Sequence, residues 1–369
     1  MVESGGCERF DALESYLASE LDLALEPASV ETSVLSDGLN LVLEVSTHED
    51  GSYVVRRPNK LRRTALFIDP KREYEVLRRL RDSRVPAPEP VVFCDDRSIL
   101  GEPFIVTTLL EGEVIPLGSP LPTRFQTPDA RERIATVLVD TLADVHSLPP
   151  DNYIDVCEHL TPLDQVERGV ARLDEVEEVT GRTFTKLRSV AQWLERNAPS
   201  DFQRSVVHGD FRPGNVLFSG ASEPSITGVL DWETTMIGDP LTELGYLLLR
   251  WGEADDPAPS LEAIEARYTN ANESTLEHLR DANEHGLAPF TRKAGSPSRR
   301  TLVERYEGRT GFSFEHDRFY RTHAAFMLAV VWADLHRHRI DCGEESNWEP
   351  HVDYMTLLAR NIMSGRVPL

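Results

Sequence analysis

Residues 208 to 231 constrain this chain more than any other stretch. They read His208-Gly209-Asp210, then four residues to Asn215, then two short apolar runs, then Asp231-Trp232-Glu233. The apolar runs, Val216-Leu217-Phe218 and Gly228-Val229-Leu230, flank the turn-rich segment Ser219-Gly220-Ala221-Ser222-Glu223-Pro224, which predicts a hairpin. A hairpin here puts Asn215 and Asp231 at neighbouring strand ends, close enough to share one cation. The residue types suit in-line phosphoryl transfer. Asp210 is placed to accept the proton of an attacking hydroxyl, and an amide oxygen (Asn215) and a carboxylate (Asp231) are hard ligands for Mg²⁺. An ordinary polar turn with chance matches is the competing reading, weakened because all three residues fall where the turns and strands require them.

The 369 residues suffice for a large core and for two lobes. The first eight residues carry neither a basic start nor an apolar run, and no later stretch is long enough to span a bilayer, so a soluble, cytoplasmic protein is expected. Cys7, Cys94, Cys157 and Cys342 are scattered, without a CxxC pair, and read as free thiols. His336 and His338, two apart on a predicted helix, make a poor metal pair.

The formal net charge is -23, with only four lysines (Lys60, Lys71, Lys186 and Lys293). Acids spread along the whole chain fit a surface adapted to a salt-rich cytoplasm, where screening relieves their repulsion. The other reading is an acidic face for a cationic substrate. Nucleic acid is a poor partner for such a protein. Nothing in the sequence fixes the oligomeric state.

Patterning predicts an amphipathic helix from Phe10 to Leu23 and strands over Ala28–Leu35, Leu39–Val45 and Ser52–Arg57. Lys71–Arg81 reads as a helix with Tyr74, Leu77 and Leu80 towards a core. Val85-Pro86-Ala87-Pro88-Glu89-Pro90 must be extended. Val91–Cys94 and Phe104–Thr107 complete a small sheet crossed by one helix. From Asp129 onward the pattern is mainly helical: Asp129–Leu148, Phe184–Asn197, Leu241–Trp251, Leu261–Tyr268, Arg299–Thr310, Asp317–Arg339 and His351–Met363.

With these segments in place, the chain resembles the phosphotransferase enzyme family, the kinase-like group that includes aminoglycoside phosphotransferases. The resemblance runs from about residue 28 to 340 and rests on Arg72-Glu73-Tyr74-Glu75-Val76-Leu77, Gly101-Glu102-Pro103-Phe104-Ile105-Val106, Leu142-Ala143-Asp144-Val145-His146, the two segments above, and Gly238-Asp239-Pro240-Leu241-Thr242-Glu243-Leu244. Ser296-Pro297-Ser298-Arg299 with Arg305-Tyr306 looks most like the branch fused to acyl-CoA dehydrogenases, for which a hydroxyacyl-CoA is the implied phosphate acceptor.

The resemblance implies an α+β, bilobal protein-kinase-like fold. A small sheet-plus-helix lobe (1–108) would precede a larger helical lobe (109–369), with ATP between them. The implied nucleotide residues are Arg56, with Glu73 as its helix partner, and Arg is a departure from the Lys of protein kinases. Arg57 competes with Arg56. Ser36-Asp37-Gly38-Leu39-Asn40 stands where a loop over the phosphates belongs, so Ser36 and Gly38 are candidates, although a plain hairpin turn would read alike. Thr107 to Leu110, with Thr107 and Leu109 as candidates, would be the hinge whose backbone meets adenine. Asp239 is expected to brace the catalytic loop, His208 to organise it, Trp232 to pack beneath it and His146 to be a satisfied core histidine. Glu243 stands where the family often has Asp.

The implied activity is ATP- and Mg²⁺-dependent phosphorylation of a small-molecule hydroxyl, by Asp210 with Asn215 and Asp231. An aminoglycoside or amino-alcohol acceptor is the alternative, as is a nucleotide-binding regulator that transfers nothing. Arg292, Lys293, Arg299, Arg300 and Arg305 form a basic cluster, read either as an anion site or as ion pairing with Glu304 and Glu307. A second basic run, Arg56, Arg57, Lys60, Arg62 and Arg63, reads as a solvated loop beyond Arg56.

Overall fold

The computed structural model describes residues 10–21, 30–38, 40–47, 51–59, 69–269 and 272–369. The N-terminal segment with Cys7, Leu39 of the hairpin loop, the turn His48-Glu49-Asp50 and the basic residues Lys60, Arg62 and Arg63 lie outside the described residues. The chain divides into two compact units. One comprises Met1–Asp82 and Ala87–Leu110, the other Ser83–Pro86 and Glu111–Leu369.

The first unit contains α1 (Asp11–Glu20), β1 (Val30–Asp37), β2 (Asn40–Thr47), β3 (Gly51–Pro58), α2 (Pro70–Leu80), β4 (Pro90–Cys94), α3 (Arg97–Leu100) and β5 (Phe104–Thr108). The strands form one sheet in the order β1-β2-β3-β5-β4, antiparallel throughout. Strand periodicity builds its core: Leu41, Leu43 and Val45 alternate inward on β2 and meet Val55, Phe104, Val106 and the buried Leu13 and Leu17 of α1. Helix α2 starts at an Asp69 cap, whose carboxylate accepts from Lys71 N at 3.0 Å, with Pro70 in the first turn. Its buried face carries Val76, Leu77 and Leu80 together with Glu73. An acid on the core face of a helix needs a cationic partner, and it has one.

The second unit holds α4 (Pro128–His146), β6 (His159–Leu160), α5 (Pro162–Thr180), α6 (Thr185–Asn197), β7 (Ser205–Val207), β8 (Val216–Ser219), β9 (Ser225–Val229), β10 (Met236–Gly238), α7 (Pro240–Arg250), α8 (Glu262–Arg267), α9 (Glu273–His285), α10 (Arg299–Thr310), α11 (Asp317–Asp341) and α12 (Glu349–Met363). The sequence reading left out α5, although Thr161 and Asp164 form a full capping box at its start and Pro162 occupies its first turn. It also left out the polar helix α9. The long helix α11 is the packing centre of this unit, touching α5, α7 and α12. Helices α7 and α11 approach closely at Gly245, where an added Cβ would lie 2.7 Å from the carbonyl carbon of Tyr320. That contact fixes α7, which carries much of the site below. Among the described residues no helix is long and apolar enough to cross a membrane.

Candidate functional site

Strand β7 delivers the chain into His208-Gly209-Asp210. Gly209 has φ +90°, and a Cβ there would lie 2.5 Å from the carbonyl oxygen of Thr234, so the turn requires glycine. His208 is fully buried and pressed against the Trp232 ring, with 4.7 Å between centroids. Its Nδ1 accepts from Asp210 N at 3.1 Å, and this fixes the tautomer in which Nε2 donates to Leu230 O at 2.8 Å. His208 therefore organises the loop, and the buried Trp232 packs beneath it.

The carboxylate of Glu243 braces the same loop. It accepts from His208 N (3.0 Å), Gly209 N (2.6 Å) and Phe211 N (3.2 Å), and meets His146 Nε2 at 3.0 Å. His146 in turn reaches Tyr306 Oη at 2.6 Å, as befits a satisfied core histidine. Burial alone would raise the Glu243 carboxyl, but the bond from His146 and the loop amides outweigh it and hold the pKa below the ordinary value. The brace was expected of Asp239. Asp239 instead caps α7, accepting from Leu241 N (3.0 Å), and takes the Tyr320 hydroxyl (2.6 Å). It stands first on the helix, one turn away from the loop, and the extra methylene of Glu243 makes the reach.

Asp210 is held from three sides. Oδ1 accepts from Tyr246 Oη at 2.5 Å, Oδ2 accepts from Asn215 Nδ2 at 2.7 Å, and Arg212 Nε lies 3.1 Å from Oδ2 and 3.3 Å from Oδ1. Burial works to raise its pKa. The charges of Arg212 and Arg250 and the bond from Tyr246 overcome that and keep it a carboxylate below the usual range. Its side chain is still 29% exposed. Asn215 Nδ2 also donates to Asp210 O at 3.0 Å, which directs the amide nitrogen to Asp210 and leaves the amide oxygen as a hard donor. The main-chain oxygen of Asn215 accepts from Leu230 N at 2.8 Å, tying the turn after Asp210 to the residue before Asp231. Strands β8 and β9 pair antiparallel as the hairpin requires. Asp231 itself sits in the left-handed region, φ 66° and ψ 55°, a conformation that residues other than glycine adopt mainly where surrounding structure imposes it.

Sequence reasoning missed Arg212, Tyr246 and Arg250. Glu243, Tyr246 and Arg250 stand three and four residues apart, hence on one face of α7, and that spacing was the available signal. Arg250 is 4% exposed. Its Nη2 donates to Tyr246 Oη at 2.6 Å, its guanidinium lies 3.8 Å from the Tyr246 ring centre, and its Nε has no hydrogen-bond partner.

In the first unit, Arg56 on β3 and Glu73 on α2 form a buried ion pair, Nη1 to Oε1 at 2.5 Å. With its amide oxygen turned towards Arg56, Asn40 on β2 accepts from Nε (3.2 Å) and Nη2 (2.7 Å). Arg57, one residue on and therefore on the other face of the strand, donates to Leu100 O at 2.5 Å. Ser36 lies on β1, at a register shift in its pairing with β2, and Gly38 N donates to Asn40 O at 3.2 Å across the turn. Thr107 is buried in β5, paired with Val54 and Pro90. The amides of Thr108 and Leu109 are spent on Glu89 O and Ser52 O, at 3.0 Å each.

The first basic cluster divides. Arg299 forks Asp256 (2.7 and 2.5 Å) and Arg305 forks Asp140 (2.7 and 2.6 Å), so the acids they pair with are not Glu304 and Glu307. Glu307 instead accepts from Phe314 N at 2.7 Å. Residues 299 to 310 form a helix, and the side of it bearing Arg305 faces α4.

Three comparisons bear on this geometry. The model of the family described as "Phosphotransferase enzyme family" matches residues 31–281. Acyl-CoA dehydrogenase family member 11 of Rattus norvegicus is 32% identical over 207 residues, which cover 54% of this chain and 25% of that protein. The chain thus spans about a quarter of the length of that relative. A solved structure from Ralstonia eutropha, of provisional aminoglycoside phosphotransferase assignment, superposes with a TM-score of 0.70 at 22% identity, covering 96% of this chain and 98% of that one. The GDP and kanamycin complex of APH(2")-IIia superposes with a TM-score of 0.56 at 13% identity, covering 96% and 98%. These likenesses show an α+β fold shared with kinase-like phosphotransferases.

Proposed function

The chain belongs to the phosphotransferase enzyme family, and on that premise we propose that it transfers the γ-phosphoryl group of ATP to the hydroxyl of a small molecule, with a hydroxyacyl-CoA or similar anionic alcohol as acceptor. The observation that carries the reading is the seating of Asp210. A carboxylate held by Tyr246, Asn215 and Arg212 yet partly open to solvent is equipped to orient an acceptor hydroxyl and take its proton. With a lowered pKa it is a weak base, so proton transfer comes late, after bond breaking to the leaving group has made the attacking oxygen acidic. Positioning and charge neutralisation then supply most of the acceleration.

Asn215 and Asp231 are the residues proposed to hold Mg²⁺. Their chemistry fits: an amide oxygen whose nitrogen is engaged elsewhere, and a carboxylate on the residue after Leu230, whose amide bonds to Asn215, would supply two hard oxygen ligands. When bound, the ion neutralises phosphate charge. Arg212, beside the base, adds a fixed positive charge where the phosphoryl group passes. In the first unit Arg56, oriented by Glu73 and Asn40, is proposed to steady the phosphates, with Ser36 and Gly38 in the loop over them. Because the Thr108 and Leu109 amides are already used, a base meeting residues Thr107 to Leu110 would find carbonyls and the Leu110 amide. GDP in a solved relative supports nucleotide use, and ATP and GTP are compared in the test below.

The test measures nucleoside triphosphate consumption with Mg²⁺ over hydroxyacyl-CoAs, amino alcohols and aminoglycosides, for the wild type and Asp210→Asn. Acceptor-dependent turnover, reduced by at least about a hundredfold in the variant, is the expected result. Nucleotide binding without turnover on any acceptor would sink the acceptor assignment, and equal turnover in Asp210→Asn would sink the role of the base.

A further inference from the structure

The second unit contains a cavity of about 630 Å³ that the phosphotransfer residues do not use. Its charged lining is Arg131, Arg292, Lys293, Asp281, Glu284 and His285. The two acids lie near His285, whose Nε2 is 3.6 Å from Asp281 and 3.9 Å from Glu284. The three cations are different. Arg131 is only 9% exposed and donates to main-chain carbonyls alone, Nε to Ala294 O (2.7 Å) and Nη1 to Gln126 O (2.6 Å). Arg292 donates from Nη1 to Glu284 O (2.7 Å), and its buried Nε has no partner. Among the described residues neither of them, nor Lys293, forms an ion pair.

Most buried arginines elsewhere in the chain meet aspartates: Arg299 forks Asp256, Arg321 forks Asp317 at 2.6 and 2.6 Å, and Arg337 meets Asp334 at 2.8 Å, while Arg250, the exception, stands beside Tyr246 and Asp210. A protein of net charge -23 has no shortage of acids to place beside a buried guanidinium. Three cations against the acids Asp281 and Glu284 leave the lining net positive, and Arg131 and Arg292 spend their hydrogen bonds on main-chain carbonyls, so an anion entering the cavity meets guanidinium groups not forked to any carboxylate.

The cavity also adjoins the reaction centre by two routes. Ile115 N donates to Pro213 O within the catalytic turn at 3.0 Å, and three residues further on Gly118 lines the cavity. Three residues reach at most about 11 Å. On the other side, Arg250 touches Tyr246 beside Asp210, while Gly252 lies under Arg292: a Cβ at 252 would be 2.8 Å from Arg292 Nε.

We infer that this cavity receives the anionic end of the acceptor, a phosphate or carboxylate group held by Arg131, Arg292 and Lys293, while the acceptor hydroxyl lies at Asp210. The inference rests on the phosphotransferase reading for its second half only; the anion site stands without it. A guanidinium fork and an ammonium suit either oxyanion.

The test is calorimetric titration of the whole chain with coenzyme A, glutarate and kanamycin, each in saturating Mg²⁺ and a non-hydrolysable ATP analogue so that the nucleotide site is filled. The same titrations are run on Arg292→Ser/Lys293→Ser. Binding of coenzyme A or glutarate, weakened at least about tenfold in the double variant while the analogue binds as before, is expected. Coenzyme A without glutarate identifies phosphate as the group recognised, and the reverse identifies carboxylate. The inference is overturned if neither anion binds the wild type, if the double substitution leaves their affinity unchanged, or if kanamycin alone binds. Failure of the analogue to bind the wild type would count against the proposed function and not against the cavity, which is then read from the titrations without nucleotide.

Discussion

The Tyr246 hydroxyl donates to Oδ1 of Asp210 at 2.5 Å and accepts from Arg250 Nη2 at 2.6 Å on its other side. One hydroxyl thus connects the proposed base to a buried arginine that forms no ion pair among the described residues. The connection fixes the carboxylate plane and passes part of the Arg250 charge to it.

Tyr246→Phe keeps the ring over which Arg250 lies and deletes only this link. The expected outcome is a fall in kcat of about tenfold to a hundredfold, with the KM for nucleotide unchanged, because the tyrosine positions the base without touching phosphate. Arg250 loses its main side-chain partner, so stability falls as well, by roughly 1–3 kcal/mol. Steady-state kinetics separates the two effects; a change confined to nucleotide KM would refute the positioning role.

Glu243→Gln tests the loop brace. The glutamine retains shape but offers one acceptor oxygen where the carboxylate accepts from three loop amides and contacts His146. Breaking such a buried charged network on one side costs on the order of 3 kcal/mol. Asp239→Asn, at the helix cap, is expected to destabilise while leaving the loop, and hence kcat of the folded fraction, nearly intact. Chemical denaturation paired with kcat measured on folded protein checks the contrast. Equal kcat losses in the two variants would mean that the two carboxylates do not divide the work this way.

The contrast also marks how much could be read in advance. The loop His208-Gly209-Asp210, Asn215 and Asp231 was legible because its parts lie close in sequence and are joined by a hairpin whose period and turn residues declare it. Leu77 and Leu80 on the buried face of α2 were legible for the same local reason. Tyr246, Arg212 and the bracing role of Glu243 were not, because their meaning lies in tertiary contacts between segments far apart in the chain. Asp239 and Glu243 are two acids four residues apart on one helix, and only the packing of α7 on α11 at Gly245 decides which one meets the loop. Helix α5 was missed although its capping box was visible, since Gly169 and its many acids blur the apolar period. The pairing of Arg299 with Asp256 and of Arg305 with Asp140 was likewise beyond reach, as acids near in sequence looked the natural partners.

Salt dependence follows from composition. A net charge of -23 repels itself, and the screening length shrinks from about 10 Å at 0.1 M salt to about 3 Å at 1 M. Thermal midpoints should therefore rise with KCl from low salt into the molar range. Measured at fixed pH, a midpoint that falls across that range would refute the reading of the acids as a salt-adapted surface.

Acid sensitivity gives a sharper test, because buried histidines govern it above the carboxylate range: His323 is depressed most, and burial lowers His336 and His351 as well. His323 on α11 is 3% exposed, stacks on Phe319 at 5.9 Å, and neither ring nitrogen has a hydrogen-bond partner. Burial with nothing to hold a proton pushes its pKa from 6.5 down to about 4. In the unfolded chain the imidazole takes up a proton as pH falls through 6.5, while in the folded protein it stays neutral until about 4. The unfolded state therefore binds more protons in this window, and stability, complete above the unfolded pKa, declines as pH drops through it. The full loss is on the order of 3 kcal/mol. The depressed carboxyls of Asp210, Glu243 and Asp256 add their own losses, but only once pH falls below the ordinary carboxylate range. His323→Leu fills a similar volume without a titrating group. Urea midpoints measured at pH 7.5 and pH 5, values chosen on either side of about 6.5, should lie closer together in the variant than in the wild type, with His336 and His351 supplying the remaining difference. Parallel declines in both proteins would place the acid sensitivity elsewhere and leave His323 as packing alone.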